Sequence, residues 1–320
     1  MTLTELKYIV AVAREKHFGK AAEACFVSQP TLSVAIKKLE EELQLKLFER
    51  SANEVTVTPL GLEIIQQAQS ELEQAAQIKE IAKRGKDPLA GALRLGVIYT
   101  IGPYLLPSLV RQMIAQAPQM PLMLQENFTV KLLDMLRTGE TDCAVLAEPF
   151  PDTGLAIAPL YDEPFMAAVP MSHPLAQQTS VTAEQLKNET MLLLGTGHCF
   201  RDHVLEVCPE FARFSSHAEG IRKSFEGSSL ETIRHMVAAG MGVTLVPRLS
   251  VPDAALLDAP QRQNEDAFVK YLPITDAAGG APPSRRVVLA WRRSFTRYEA
   301  VAALRNAIYA CALPGVTRLS

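Results

Sequence analysis

The stretch "KAAEACFVSQPTLSVAIKKLEEEL", residues 20–43, constrains the fold more than any other part of the chain. Its small alanines allow a very short helix to pack closely. "VSQP" then offers Ser28 as an N-cap, with Pro30 in the first turn, where a missing N–H costs nothing. Leu32, Ile36, Leu39 and Leu43 continue at helical spacing. Upstream, Leu3, Leu6, Ile9, Val10 and Ala13 form an earlier apolar stripe, which Gly19 is expected to break. Downstream, "SANEVTVTPLG" alternates at Val55 and Val57, as a β-wing does. Two short helices, a tight turn, a third helix and a wing predict a winged helix-turn-helix over residues 1–58.

In that geometry the third helix enters the major groove, with its first residues on the base edges. Ser28, Gln29, Pro30, Thr31, Ser33 and Val34 are then the expected DNA-facing set. Lys37, Lys38 and Arg50 are the expected phosphate contacts. Residues 1–58 hold eight basic and eight acidic side chains, so one copy should bind weakly. Several copies are needed to gather enough phosphate contacts. Patterning alone also allows a three-helix protein–protein module.

The run "AAEACFVSQPTLSVAIKKLEEELQLKLFER" followed by "VTVTPLG" resembles the N-terminal domain of the LysR-type transcriptional regulators. That family carries an Ala-Ala-Glu-x-x-x-x-Ser-Gln-Pro-x-Leu-Ser run and then a Leu-Glu-x-x-Leu-x-x-x-Leu-Phe-x-Arg run. Both are present, with Cys25 and Phe26 at variable positions.

Residues 59–88 read as a linker. One helix from about Thr58 to Lys83 carries Ile65, Ala68, Leu72, Ala75 and Ala82 on a coiled-coil-like seam of alternating threes and fours, interrupted at Lys79, that suits dimerisation. "RGKDPLAG" then marks a boundary. From Ala92 strand and helix patterns alternate through "LRLGVI", "PLMLQENF", "CAVLAE", "AAVP", "MLLLG", "GVTLVP", "VKYLPI" and "RRVVLAW". Helical stripes lie at Pro103–Gln116, Val130–Thr138, Ser228–Ala239 and Ser294–Ala312. This predicts an α/β region over residues 89–320 with a mainly parallel sheet. The strands are too many for one small sheet, so two lobes with a cleft between them are expected. The LysR resemblance implies a regulatory domain of two Rossmann-like lobes, similar to periplasmic binding proteins. The chain would cross near Glu163 and return near Ala267. Lobe I would then hold residues 89–162 and 268–320, and lobe II residues 163–267.

A net charge of −3, with 48% hydrophobic and 21% charged residues, excludes a protein that coats nucleic acid by bulk charge. The first residues carry charges through their apolar stretch and no small-residue cleavage site, so a signal peptide is not expected. No apolar run approaches the roughly 18 residues a membrane span needs. A cytoplasmic setting follows, with thiols kept reduced and no membrane partner. Neither a metal nor a cofactor is expected.

"GTGHCFRDHVLEVC", Gly195–Cys208, carries the distinctive chemistry. Phe200, Val204 and Val207 share a helical face, and Pro209 disfavours helix beyond Cys208. A short helix should therefore start just after Cys199. Its positive end and His198 can both lower a thiol pKa, and the thiolate is the nucleophile. Nine residues of helix put the two Cα atoms roughly 13–14 Å apart. A disulfide needs roughly 4.4–6.8 Å, so the two can bond only if the helix unwinds. From spacing alone, two unrelated thiols in a packed lobe are at least as good a reading.

"GTGHCFRD", the second cysteine nine positions on, and "SSLETIRHMVAAGMGVTLVP" resemble the OxyR branch of the LysR family, the hydrogen-peroxide sensors. The resemblance implies that Cys199 is the peroxidatic thiol and Cys208 the resolving one. It also implies that His198, Thr100 and Thr129 complete the peroxide pocket. Taken alone, each threonine reads as an N-cap or strand-end hydroxyl. His17, His173, His203, His217 and His235 read as surface or structural, and Cys25, Cys143 and Cys311 as small buried apolar residues. The implied partners are DNA, hydrogen peroxide, a homotetramer built as a dimer of dimers, a thiol reductant system and RNA polymerase. A LysR regulator answering to an organic effector in the cleft, and a thiol peroxidase enzyme, are the competing functions.

Overall fold

The computed structural model describes residues 1–50, 55–83, 89–151, 154–209, 226–227, 229–252, 268–275 and 280–319. The expected boundary at residues 84–88, the return near Ala267 and His217 lie outside them.

The N-terminal unit begins with helix α1 (Leu3–Glu15), opened by a capping box between Thr2 and Glu5. Leu3 is half exposed, and the buried face runs instead through Leu6, Ile9 and Val12, with Tyr8 and Ala11 beside it. The face is wider than the expected stripe because α1 packs against three other helices. Lys16, in the left-handed region at φ 49°, ends α1. Gly19 therefore does not break the helix; it sits in the first turn of α2 (Phe18–Ala24), whose N-cap is His17. Helix α3 (Gln29–Leu43) starts at the Ser28 cap and buries Leu32, Ile36 and Leu39.

Strands β1 (Phe48–Arg50) and β2 (Val55–Val57) pair antiparallel as the wing. A buried carboxylate fixes the wing to α3. Glu40 accepts from Leu47 N at 2.8 Å, Phe48 N at 3.3 Å and Lys46 Nζ at 3.0 Å. Helix α4 (Pro59–Lys83) follows. Ile65 and Ala68, expected on an open dimer seam, are buried in the N-terminal core instead, because α4 packs along α1. Leu60, Leu62 and Ile78 are the large apolar side chains that α4 leaves exposed among the described residues. Glu73 fastens α4 to the following domain: its carboxylate meets Arg292 Nε at 2.6 Å and accepts from Ser294 Oγ at 2.8 Å.

The larger region runs β3 (Leu93–Ile98), α5 (Gly102–Gln116), β4 (Leu122–Asn127), α6 (Thr129–Arg137), β5 (Cys143–Ala147) and β6 (Ala156–Pro170). It continues with α7 (Ala183–Leu186), β7 (Leu193–Leu194), α8 (Cys199–Val207), β8 (Glu226–Gly227), α9 (Leu230–Ala238) and β9 (Thr244–Pro247). Strands β10 (Val269–Pro273) and β11 (Ser284–Trp291), helix α10 (Tyr298–Ala310) and strand β12 (Thr317–Arg318) complete it.

Two separate cores form. One holds β3, β5 and much of β11 under α5, α6 and α10; the other holds the end of β6 with β7, β9, β10, α8 and α9. One eight-stranded sheet joins them in the order β10-β6-β11-β5-β3-β4, with β9 and β12 also paired to β6. Its parallel pairs are β3 with β4 and β3 with β5; the other pairs in it are antiparallel. The expectation of a mainly parallel sheet is thus corrected. The strands that link the lobes return alongside each other rather than through helical crossovers, and a buried strand reads the same in either direction.

Strand β6 is the link. Its first part pairs with β11 and its last part with β9 and β10. Val269, Leu272 and Ile274 lie in the second core, with β10 paired to the last part of β6. The apolar side of β10 needs the second core to cover it. A second tie joins the lobes through α5 and α9: Tyr104 Oη donates to Glu231 at 2.5 Å, and Arg234 holds the same carboxylate at 2.9 and 3.0 Å.

Candidate functional site

Helix α8 begins at Cys199, and His198 is its extended N-cap residue at φ −81°, ψ 116°. The chain arrives through Gly197 at φ +100°, where a Cβ would stand 3.3 Å from the Phe128 ring. The positive φ favours glycine, and a Cβ would also crowd the ring. This close approach seats the start of α8, in the second lobe, on the strand ends of the first. Thr100 follows β3 there, and Thr129 opens α6 directly after β4.

The structure therefore brings together four of the predicted thiol-site residues: Cys199, His198, Thr100 and Thr129 line one small cavity. Tyr99, Phe128 and His198 wall it, with ring centroids 4.9 to 5.9 Å apart. The cavity offers about 10 Å³ to the centre of a water-sized sphere. That suits one water-sized molecule; drug-sized ligands occupy roughly 300–1,000 Å³.

The polar groups of the cavity differ. Thr129 Oγ1 is buried and has no hydrogen-bond partner among the described residues. Leaving a hydroxyl so costs about 1–3 kcal/mol. Thr100 Oγ1 accepts from Arg285 Nη1 at 2.8 Å, which leaves the hydroxyl proton free to be donated elsewhere.

Arg285 is the residue that sequence reasoning missed. It is almost fully buried and also donates to the Thr100 carbonyl at 2.9 Å. Its guanidinium pairs with Glu163 at 2.8 Å and lies over the Phe200 ring of α8, 5.3 Å from the centroid. Glu163 in turn accepts from Leu249 N at 2.8 Å. One cation thus holds a cavity hydroxyl, the lobe-linking strand β6 and the thiol-bearing helix. The signal was present: "YDEPF" and "SRRVV" place Asp162 and Glu163 opposite Arg286 and Arg285 in the β6–β11 ladder. Strand alternation sends Arg285 inward and Arg286 outward.

Cys208 is not in the cavity. It is the buried C-cap of α8, in the second core, with its N–H donating to Val204 O at 3.0 Å. The helix between the two cysteines is intact, so its rise keeps their Cα atoms roughly 13–14 Å apart, out of disulfide range. None of the five cysteines is joined in a disulfide. Burial pushes the Cys25, Cys143 and Cys311 thiols up from their ordinary value, which makes them poorer nucleophiles. Among the described residues no cluster of His, Cys, Asp and Glu is placed to hold a metal ion.

The other predicted set lies on α3 and the wing. Gln29, Pro30, Thr31, Val34, Lys37 and Lys38 are exposed, and Ser33 is half-buried. Ser28 is engaged as the cap, bonded to Thr31 N at 3.3 Å and to Thr31 Oγ1 at 2.7 Å. Lys37 lies 3.8 Å from Glu41. The Arg50 side chain lies outside the described residues. Phe26, in the turn before α3, is 96% exposed at φ 57°. An aromatic residue displayed in the left-handed region was not foreseen.

Comparison with known proteins gives two family matches. Residues 3–62 match the bacterial regulatory helix-turn-helix protein, lysR family, and residues 86–310 match the LysR substrate binding domain. The hydrogen peroxide-inducible genes activator of Pectobacterium carotovorum subsp. carotovorum is 38% identical over 305 residues, covering 94% of this chain and 95% of that protein. The DNA-binding transcriptional dual regulator OxyR of Escherichia coli K12 is 37% identical over 306 residues, 94% of each chain. Among solved structures, a full-length cysteine-to-aspartate variant of OxyR from Pseudomonas aeruginosa matches at TM-score 0.79 and 46% identity, covering 100% of this chain and 98% of that one. A cysteine-to-serine variant of OxyR from Corynebacterium glutamicum, with H2O2 bound, matches at TM-score 0.60 and 32% identity, covering 96% and 91%.

Proposed function

The chain belongs to the LysR family of bacterial helix-turn-helix regulators, and from that premise we propose that it is a peroxide-responsive transcription regulator whose sensor is Cys199. One observation carries the reading. The cavity against this thiol is the size of one very small molecule and is lined by two threonine hydroxyls, one of them buried without a partner. An organic effector is too large for it, whereas hydrogen peroxide, both donor and acceptor, is among the smallest ligands that could use its hydroxyls.

The chemistry follows from the groups present. The Cys199 thiolate attacks one peroxide oxygen and the O–O bond breaks. Thr100, Thr129 and His198 orient the peroxide, and one of them or a held water supplies the proton that lets the other oxygen leave as water. The product is a sulfenic acid. The Cys208 thiol then displaces water from it, closing the disulfide. Because α8 holds the two cysteines apart, the second step needs α8 to unwind. Each event consumes one peroxide and ends in a changed protein, so the chemistry is stoichiometric and signals rather than clears. A thiol reductant of the thioredoxin or glutaredoxin class would reset it.

DNA binding uses Ser28, Gln29, Pro30, Thr31 and Ser33 at the start of α3, with Lys37, Lys38 and Arg50 on phosphates. Neutral charge over residues 1–58 calls for more than one copy on paired sites, which a homotetramer built as a dimer of dimers would supply. Strand β4 ends the sheet order and leaves Met123 and Leu124 exposed. An exposed apolar edge of this kind suits self-association. Disulfide formation would alter how the dimers sit on DNA and so how the complex meets RNA polymerase. Such a regulator works in the cytoplasm, where the DNA is.

The test is the DNA footprint before and after peroxide, in the wild type and in Cys199→Ser. A footprint that shifts with peroxide in the wild type alone supports the reading. One that shifts equally in both, or in neither, sinks it.

A further inference from the structure

His203 lies one helical turn beyond Cys199 and is nearly as buried as any residue of α8. Its Nε2 stands 2.8 Å from the Glu148 carbonyl oxygen. A carbonyl only accepts, so Nε2 carries the proton. Glu148 directly follows β5 and belongs to the first lobe, bonded through its N–H to Arg286 O. The bond therefore crosses from the thiol-bearing helix of the second lobe to the lobe that supplies both threonines. Nδ1 of the same ring is buried and has no partner among the described residues. The Phe165 and Phe200 rings pack against it, with centroids 5.9 and 6.3 Å away.

We infer that His203 is the positioning residue of the sensor: its ring clasps α8 to the first lobe and so holds Cys199 in the threonine cavity, and taking up a proton in that buried setting shifts α8 toward unwinding. The inference rests on the peroxide-sensor reading and adds to it a residue and a second input.

The physical argument is short. A protonated ring has an N–H on Nδ1 as well, and that buried N–H has no acceptor among the described residues. The charges around the ring come from two sides. Arg285 on β11 disfavours the cation, though Glu163 on β6 pairs with it; Asp202 and Glu206 on α8 favour the cation. The Glu148 carbonyl favours it too, since Nε2–H goes on donating to it in the cation, but burial outweighs the rest and holds the ring below the ordinary histidine value. Once α8 unwinds the ring returns to water and its ordinary value. The unwound form therefore binds more protons, and acid shifts the balance toward it. The sign is that of a depressed group: the clasp is whole above about pH 6.5 and is lost as pH falls from there through the lower folded value.

The experiment uses the reduced full-length chain as wild type, His203→Ala and His203→Gln. Glutamine can donate its amide N–H to the same carbonyl but does not titrate. Two quantities are read: the rate of Cys199 oxidation by peroxide, by quenched alkylation, and hydrogen exchange of the α8 amides. Misplacing a reacting group by ~1 Å costs up to about 10²-fold, so His203→Ala should slow oxidation by roughly tenfold or more. His203→Gln should restore it. From about pH 7.5 down to about 5.5, bracketing the ordinary value of about 6.5, exchange of α8 relative to His203→Gln should rise in the wild type only. Oxidation equally fast in wild type and His203→Ala overturns the clasp, as does an exchange ratio that does not change with pH. A wild type inert to peroxide refutes the sensor reading itself and the positioning role with it.

Discussion

Replacing Thr129 with valine should make the protein more stable and less able to sense. The hydroxyl is buried and has no hydrogen-bond partner among the described residues. Valine keeps the branched shape and removes the stranded oxygen. The penalty for an unpaired buried polar group is about 1–3 kcal/mol, and the substitution should recover most of it. For a domain of 150–250 residues each kcal/mol moves Tm by about 2–4 °C, so scanning calorimetry of the reduced protein should resolve the gain. Reactivity should move the other way. Peroxide in the cavity would lose one of its two threonine partners, and a positioned group in a proton-transfer step is worth at least about 10²-fold. The oxidation rate of Cys199 should fall by about that factor. Alkylation of the same thiol by a reagent that ignores the threonines should keep its wild-type rate. A variant less stable than wild type would mean that Thr129 is partnered in the reduced protein. A variant as fast as wild type with peroxide would remove Thr129 from the site.

Other consequences follow from the same geometry. Cys208→Ser should react with peroxide at the wild-type rate but stop at the sulfenic acid, detectable by dimedone adduct on Cys199. Glu163→Gln should strand the buried Arg285 cation at a cost of about 3–5 kcal/mol, seen as a lowered Tm in the reduced state. Glu40→Gln should loosen the wing by about 1.5–3 kcal/mol, the worth of bonds to a charged group. That loss should appear as weaker DNA binding with peroxide reactivity unchanged. Tyr104→Phe removes the α5–α9 hydrogen bond, at about 0.5–1.5 kcal/mol, and should raise hydrogen exchange in α9.

Local signals carried the N-terminal unit. The Ser28 cap, Pro30 and the Leu32, Ile36 and Leu39 spacing are properties of a few neighbouring residues, and α3 starts where they place it. The same holds for α8, whose start at Cys199 and end before Cys208 follow from apolar spacing and Pro209. What failed to show was long-range. Strand β6 contains Pro159 and Pro164, and these hid a continuous strand in which "AAVP" alone stood out. The β10 assignment depended on which core covers it, and no local pattern says so. Arg285 and Glu163 lie 122 positions apart, so their pairing became visible only with the ladder register. Thr100 and Thr129 sit at ordinary strand ends; only the resemblance singled them out. The stripe on α4 was legible, but its periodicity could not distinguish a partner helix from α1 of the same chain.

Strand β6 passes unbroken from one core to the other, bonded to β11 on its way. Its partners change between Pro164 and Phe165, from β11 on the first core's side to β9 and β10 on the second's. The two ladders therefore share one backbone but few rungs, and a turn of one lobe against the other at that point would leave the pairing on either side whole. A helix that melts in the second lobe would reach the DNA-binding arms through that one changeover.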